Sequence, residues 1–304
     1  MQKWILLGLL SVAWGVAFMF QDMTVSAAEP LTATAIRLTA AAALAWAAMR
    51  IAGERLPRDA RRLGLIFLLG LVGNTMPFTL ITWGQETVDS SVAGILVAIV
   101  PLVTLVLAHF FVKGEYVTPR RGVGFLVGFA GVVVLLWPEA SAKLSEGAEG
   151  MAGYLYVLAG AVCFGVAPVL AARLPETRSL TAAAGVLIAA ALTCIPAAFL
   201  FESPVEWPGS PDSWIGIAAL GVAITPIATW AYFRLVALAG PAFLSLFNYF
   251  NPLVALFCGV LFLDETVGAT AIAALGLILV GVTLSEWRKV VKTAEALAEE
   301  VAPG

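Results

Sequence analysis

Apolar runs of roughly 18 to 23 residues alternate along this chain with short turns that carry Gly, Pro and charge. As helix, at about 1.5 Å rise per residue, such a run crosses the hydrocarbon core of a bilayer. Ten runs are predicted, near 4–20, 31–50, 63–82, 91–112, 122–137, 152–172, 180–201, 213–233, 241–263 and 269–287. The longest polar interruptions are 51–62, 138–151 and 202–212. Small residues gather inside the runs, among them Ala40–Ala43 in the second, Ala182–Gly185 in the seventh, Gly124, Gly128 and Gly131 in the fifth, and Gly276 and Gly281 in the tenth. In lipid, helices associate through such close backbone approach, so these positions read as packing.

The pattern occurs twice. Trp14-Gly15-Val16-Ala17 returns as Phe164-Gly165-Val166-Ala167, 150 positions later, and Pro101-Leu102-Val103 as Pro252-Leu253-Val254, 151 later. Leu69-Gly70 maps onto Leu220-Gly221, and Gly131-Val132 onto Gly281-Val282. Several matches in one order at one offset indicate a duplicated unit. The expected organisation is a first repeat over 1–140, a second over 151–287 and a tail over 288–304. Five spans per repeat is an odd number, so the second copy is expected upside down relative to the first.

Composition and charge sharpen this. Hydrophobic residues make up 61% and charged residues 12%, against about half and a quarter in soluble domains. A soluble protein with this core lacks the polar surface to cover it. With the N-terminus on the cytoplasmic side, the inner loops collect all of the 17 basic residues except Lys143 and the intramembrane Arg37. That is the sorting expected of an inner-membrane protein with both termini cytoplasmic. Residues 3–20 also have the shape of a signal peptide, with Val25-Ser26-Ala27 as a cleavage site, but their repeat partner lies mid-chain. Cys163, Cys194 and Cys258 all fall within predicted spans and read as buried thiols.

Catalytic chemistry is sparse. The one histidine, His109, sits at the expected cytoplasmic end of the fourth span, and no metal, phosphate-binding or nucleophile motif is present. An enzyme is not expected, nor a metal, a cofactor or a nucleic-acid partner. The spans contain breaks instead. Pro77 and Pro226, and Pro101 and Pro252, occupy matching places in the two copies, and Pro168 and Pro196 interrupt spans 6 and 7. Each proline removes a helical hydrogen bond and crowds the preceding turn. Paired breaks in corresponding helices point to a transport site near the midplane, with the four paired prolines as hinges. Polar and aromatic residues cluster at these breaks. They are Asn74 and Phe78 beside Pro77, Thr225 and Trp230 beside Pro226, and Phe247, Asn248 and Asn251 before Pro252. Trp14 and Phe164 are repeat equivalents at mid-depth. Arg37 is expected either to snorkel, to cap carbonyls of a broken helix, or to hold a substrate carboxylate. No carboxylate lies at mid-span, which argues against a carboxylate proton relay.

Together these residues resemble the EamA-type drug/metabolite transporters, and within them the YddG amino-acid exporters. The resemblance runs over about 3–287 and rests on Trp14-Gly15, on Pro30 and Arg37, and on the stretch from Ala93 through Pro101 and Glu115 to Gly131-Val132, repeated from Ala242 through Pro252 and Glu265 to Gly281-Val282. Two departures stand out. Lys113-Gly114-Glu115 and Leu263-Asp264-Glu265 replace the family's Leu-Gly-Glu, and Phe164 replaces a second Trp. The resemblance implies an all-α membrane protein of ten transmembrane helices in two inverted five-helix repeats. Spans 1–4 and 6–9 are then expected around a central cavity, with 5 and 10 bracing. The implied function is export of aromatic and other neutral amino acids and related metabolites across the bacterial inner membrane by alternating access. Export of drugs or another small metabolite on the same fold is the alternative. Partners are the lipid bilayer and the small-molecule substrate, and the sequence leaves the oligomeric state open.

Overall fold

The computed structural model describes residues 2–25, 28–111, 118–143, 151–171, 173–174, 177–202, 207–244 and 247–284. Regular structure among them is helical. Seven helices are long and apolar enough to cross a membrane: α1 (Gln2–Val25), α2 (Pro30–Ile51), α3 (Ala60–Gln85), α4 (Ser90–Phe111), α6 (Ala152–Ala171), α7 (Ser179–Phe201) and α8 (Pro211–Ala239). Between α4 and α6 lies α5 (Pro119–Lys143). Two shorter apolar helices follow α8, α9 (Phe247–Phe262) and α10 (Ala269–Leu284).

Several expected boundaries move. The polar stretch expected from 138 is helical as far as Lys143, because Glu139, Ala140, Ala142 and Lys143 are strong helix formers that carry the helix on past Pro138. The turn expected over 234–240 is absent, and helix continues to Leu244. The sequence Arg234–Leu238 is made of residues that favour helix and offers no cap. Pro168 and Pro196 do not interrupt α6 and α7, whose helical turns run through both. Neighbouring helices in a bundle re-satisfy the one carbonyl that each proline frees.

The main helix pairings are unchanged when the two halves are exchanged. α1 packs on α8 and α9 as α6 packs on α3 and α4, and α2 packs on α8 as α7 packs on α3. α2 with α7, and α4 with α9, are pairs between equivalents. Glycines show the same reciprocity at atomic scale. A Cβ added at Gly70 would lie 2.7 Å from the Val186 carbonyl oxygen, and one at Gly221 2.9 Å from the Arg37 carbonyl oxygen. Gly15 abuts Val254 as Gly165 abuts Val103, and Gly131 abuts Ala274 and Ile278 as Gly281 abuts Gly124 and Gly128. This i-to-j and j-to-i reciprocity is how two copies of one unit pack on each other.

α2 and α7 run antiparallel. The Glu202 carboxylate at the end of α7 accepts from the Leu31 and Thr32 backbone N–H groups, both at 2.7 Å, and from the Thr32 hydroxyl at 2.9 Å. At the other end Glu54, just past α2, accepts from the Thr181 hydroxyl at 2.6 Å and pairs with Arg178 at 3.4 Å. Glu265 does the same for α4, accepting from Ser90 N–H (2.9 Å), Ser90 Oγ (2.7 Å) and Ser91 N–H (3.1 Å). The local N-cap residues Glu29 and Asp89 make no side-chain cap. Orphan N–H groups at these two helix starts are therefore satisfied from the opposite half, which also places a negative charge on a positive dipole end.

Candidate functional site

Two wide turns sit at matching places. In α3 a π-helical turn occupies Leu71–Thr75, and the Met76 N–H reaches the Leu71 carbonyl. In α8 one occupies Ala219–Ile224, and the Thr225 N–H reaches the Leu220 carbonyl. Each ends two residues before a proline, Pro77 or Pro226. A proline cannot donate and its ring crowds the carbonyl four residues back, so widening the preceding turn relieves the clash. The Pro101 and Pro252 pair behaves unevenly. In α4 the helix breaks at Ala98–Ile99 just before Pro101, whereas α9 runs through Pro252. Pro101 falls in the first turn of a restarted helix, where its missing N–H is not needed.

At mid-length of the helices, Trp14, Phe78 and Phe164 form a ring triangle. Centroids are 5.5 Å apart for Trp14–Phe78, 5.8 Å for Phe78–Phe164 and 6.3 Å for Trp14–Phe164, with tilted or edge-on geometry. That is the favoured arrangement for aromatic pairs. Phe78 is buried, while Trp14 and Phe164 keep part of their surface open.

Arg37 lies over this triangle, its Cζ 3.9 Å from the Phe78 centroid. The side chain is 3% exposed. Its Nε donates to Thr225 Oγ1 and its Nη1 to Gln21 Oε1, both at 2.8 Å, while Nη2 has no partner. No carboxylate pairs with it among the described residues. The ring face contributes about 2 kcal/mol in a desolvated setting, less than the several kcal/mol that burying a charge costs. Of the three roles expected for Arg37, snorkelling does not occur, because Gln21 and Thr225 hold the guanidinium inside the bundle. Gln21 and Gln85 were not expected as site residues. Both are buried, and Gln85 Nε2 donates to the Phe18 carbonyl at 3.0 Å. Their signal was a polar side chain facing inward within an apolar run, which position near a span end disguises as interfacial.

The remaining expected residues are dispersed. Asn74 is buried within the π-turn of α3. The Asn251 amide nitrogen fits between the carbonyls of Phe247 (3.3 Å) and Ser11 (3.2 Å), which ties α9 to α1. Trp230 and Phe247 pack on the cluster of Leu6, Leu7, Leu10 and Leu235 between α1 and α8, which also touches Trp14. The Asn248 side chain lies outside the described residues. Near the α3–α4 junction, burial pushes the Asp89 carboxyl up with added repulsion from Glu265, and burial likewise raises Glu86, followed by repulsion from Glu29 and Glu202.

The buried Arg37 guanidinium, the partly open Trp14 and Phe164 rings and the wide turns before Pro77 and Pro226 thus lie in one region, linked through Phe78 and Thr225. Residues 2–137 and 151–287 each match the EamA-like transporter family. The chain belongs to the EamA-like transporter family. The family is one of membrane transporters, in keeping with the expectation that the chain is not an enzyme. An inner membrane transporter of Escherichia coli (strain K12), YedA, itself described as uncharacterized, is 27% identical over 281 residues, 90% of this chain and 87% of its own. A probable terminal-alkyne amino-acid exporter of Streptantibioticus cattleyicolor is 37% identical over 131 residues, 43% of this chain and 41% of its own. A protein of known crystal structure, 22% identical, superposes with a TM-score of 0.67 over 95% of this chain and 98% of its own, a likeness of fold. This EamA-like chain is thus an all-helical membrane transporter of two EamA repeats.

Proposed function

We propose that this transporter exports neutral amino acids, aromatic ones included, and related metabolites across a bacterial inner membrane by alternating access. The observation that carries the reading is the partly open aromatic triangle whose Phe78 lies beneath a buried guanidinium that has no carboxylate partner among the described residues. Aromatic faces suit an apolar side chain, and a buried cation with a vacant donor suits an acid. The partial similarity to an amino-acid exporter supports the same substrate class.

The architecture proposed for it is ten spans in two inverted repeats, with α5, α9 and α10 joining the seven longest apolar helices and both termini cytoplasmic. The antiparallel α2–α7 pair and the reciprocal glycine contacts support the inversion. Trp14, Phe78, Phe164, Arg37 and Thr225 line the substrate site, while Asn74, Trp230, Phe247 and Asn251 form its surround. The π-turns before Pro77 and Pro226 are hinges, since such single-turn bulges recur at functional sites.

Transport is facilitative in this reading. Within the seven candidate spans the acidic residues are Asp22 and Asp212, each near a helix end, and ion-driven carriers place such groups at depth. Purified protein in liposomes, loaded with unlabelled amino acid and offered a labelled panel outside, is expected to show counterflow with no ion gradient. Counterflow driven only by drugs or other metabolites would reject the amino-acid assignment.

A further inference from the structure

We propose that Gln21, Arg37 and Gln85 are the receptor for the charged head of a zwitterionic substrate, with its carboxylate on Arg37 Nη2 and Gln21 Nε2 and its ammonium on Gln85 Oε1. The inference deepens the export reading above and rests on it. Arg37 Nη2, Gln21 Nε2 and Gln85 Oε1 are buried without a partner, as are the hydroxyls of Thr79 and Thr229 beside Phe78 and Thr225; the first three are linked through α1, by the Gln21–Arg37 and Gln85–Phe18 hydrogen bonds. Buried polar groups are nearly always hydrogen-bonded, so each vacancy calls for a ligand.

The hydrogen bonds already formed fix which atoms are vacant. Arg37 is a donor only, so the Gln21 amide must turn its oxygen toward Nη1 and leave its nitrogen unused. The Phe18 carbonyl is an acceptor only, so Gln85 must turn its nitrogen to it and leave its oxygen unused. Arg37 Nη2 and Gln21 Nε2 flank a single hydrogen bond, an arrangement that one carboxylate spans with both oxygens. Phe18 and Gln21 are one turn apart on α1, about 5 Å, so the vacant acceptor on Gln85 faces the same stretch of helix. One cationic and one amide donor on one side and a neutral acceptor on the other match a carboxylate and an ammonium carried by one carbon.

The second copy of the repeat argues for function over packing. The equivalent of Arg37, counted from the reciprocal contacts of Gly70 and Gly221, is Val186, which is buried and apolar. The fold is therefore built at that place without a charge. Gly221 lets α8 lie against the Arg37 backbone, which holds the guanidinium over Phe78. A substrate carboxylate on Nη2 consequently brings the rest of the solute to the aromatic triangle.

The test is a thermal-shift titration of the detergent-purified full chain with L-leucine, L-phenylalanine, their methyl esters and their N-acetyl derivatives. The free amino acids are expected to bind at least about tenfold more tightly than the esters. Gln21→Leu and Arg37→Gln are expected to erase that preference, and Gln85→Leu to erase the preference over the N-acetyl forms. If Arg37→Gln does not fold, Gln21→Leu carries the carboxylate arm alone. Equal binding of ester and free acid by wild type, no binding of any probe, or a preference that survives Gln21→Leu would overturn the proposal. Counterflow in liposomes separates the two readings. Arg37-dependent binding without flux would reject export and keep the receptor, while flux indifferent to esterification would keep export and reject the receptor.

Discussion

Phe78 is the residue on which the site turns, since its ring meets Trp14, Phe164 and the Arg37 guanidinium together. Trp14, by contrast, keeps part of its surface open and joins two apolar clusters. Trp14→Ala should reduce amino-acid flux by roughly tenfold, equivalent to about 1.4 kcal/mol, while membrane expression persists. Flux at the wild-type level with normal expression would remove Trp14 from the site. Trp14 and Phe164 stand out in the sequence as equivalent positions in two copies at mid-depth, and Phe78 as the neighbour of Pro77. Gln21 and Gln85 do not, because an amide near the end of an apolar run has the same composition whether it faces lipid headgroups or the bundle interior. Only side-chain direction separates the cases, and a sequence without an alignment does not carry it. Asn251 teaches the converse. Its amide looked like a ligand and is engaged in tying α9 to α1.

At the scale of elements, glycines set the helix spacing. Gly70 and Gly221 are reciprocal contact points against carbonyl oxygens, whereas Gly64 has nothing within 4 Å. Gly70→Ala and Gly221→Ala should each destabilise the protein by about 1–3 kcal/mol, because the added methyl meets backbone that cannot rotate away. Gly64→Ala should leave stability unchanged or raise it by up to about 1 kcal/mol through helix propensity. Melting temperatures of the three variants in detergent check this, and equal shifts in all three would contradict the packing role.

The helix ends give a pH dependence. Asp89 is held above its ordinary value of 3.8 by burial and by Glu265, so folded protein binds that proton more tightly than unfolded protein. Stability then falls as pH rises from about 4 through the raised value, and the loss persists at neutrality. Asp89→Asn should raise the melting temperature at pH 7 and make little difference near pH 3. An equal gain at both would show that charge is not the cause. Proline marks strain in the sequence, but whether the helix breaks there is not legible. Residue type marks where a helix is strained, while the neighbours decide between the π-turns before Pro77 and Pro226, the interruption before Pro101, and uninterrupted helix through Pro168, Pro196 and Pro252.

For the whole molecule, duplication was the most readable property of the chain, and it organises the packing. Reciprocal pairings of α1 with α8 and α6 with α3, and the opposed α2–α7 pair capped at both ends by carboxylates, follow from one unit used twice. Those caps were not foreseen, since Glu202 and Glu54 lie in loops far along the chain from the helix starts they serve. A carboxylate that bridges halves becomes recognisable only after the halves are assembled. The helix bounds at 143 and 244 were also misjudged, because helix-favouring residues continue past the point where hydropathy falls. Substrate class depends on the centre that the two halves share.

The account stands on passage of amino acids through that centre, and flux from liposomes measures it directly. Vesicles holding purified transporter and labelled leucine or phenylalanine, diluted into buffer with no imposed ion gradient, should release the label until inside and outside are equal, and an excess of unlabelled amino acid outside should accelerate the exchange. Retention of the label at the rate of empty vesicles, or release only when a proton gradient is applied, would contradict it.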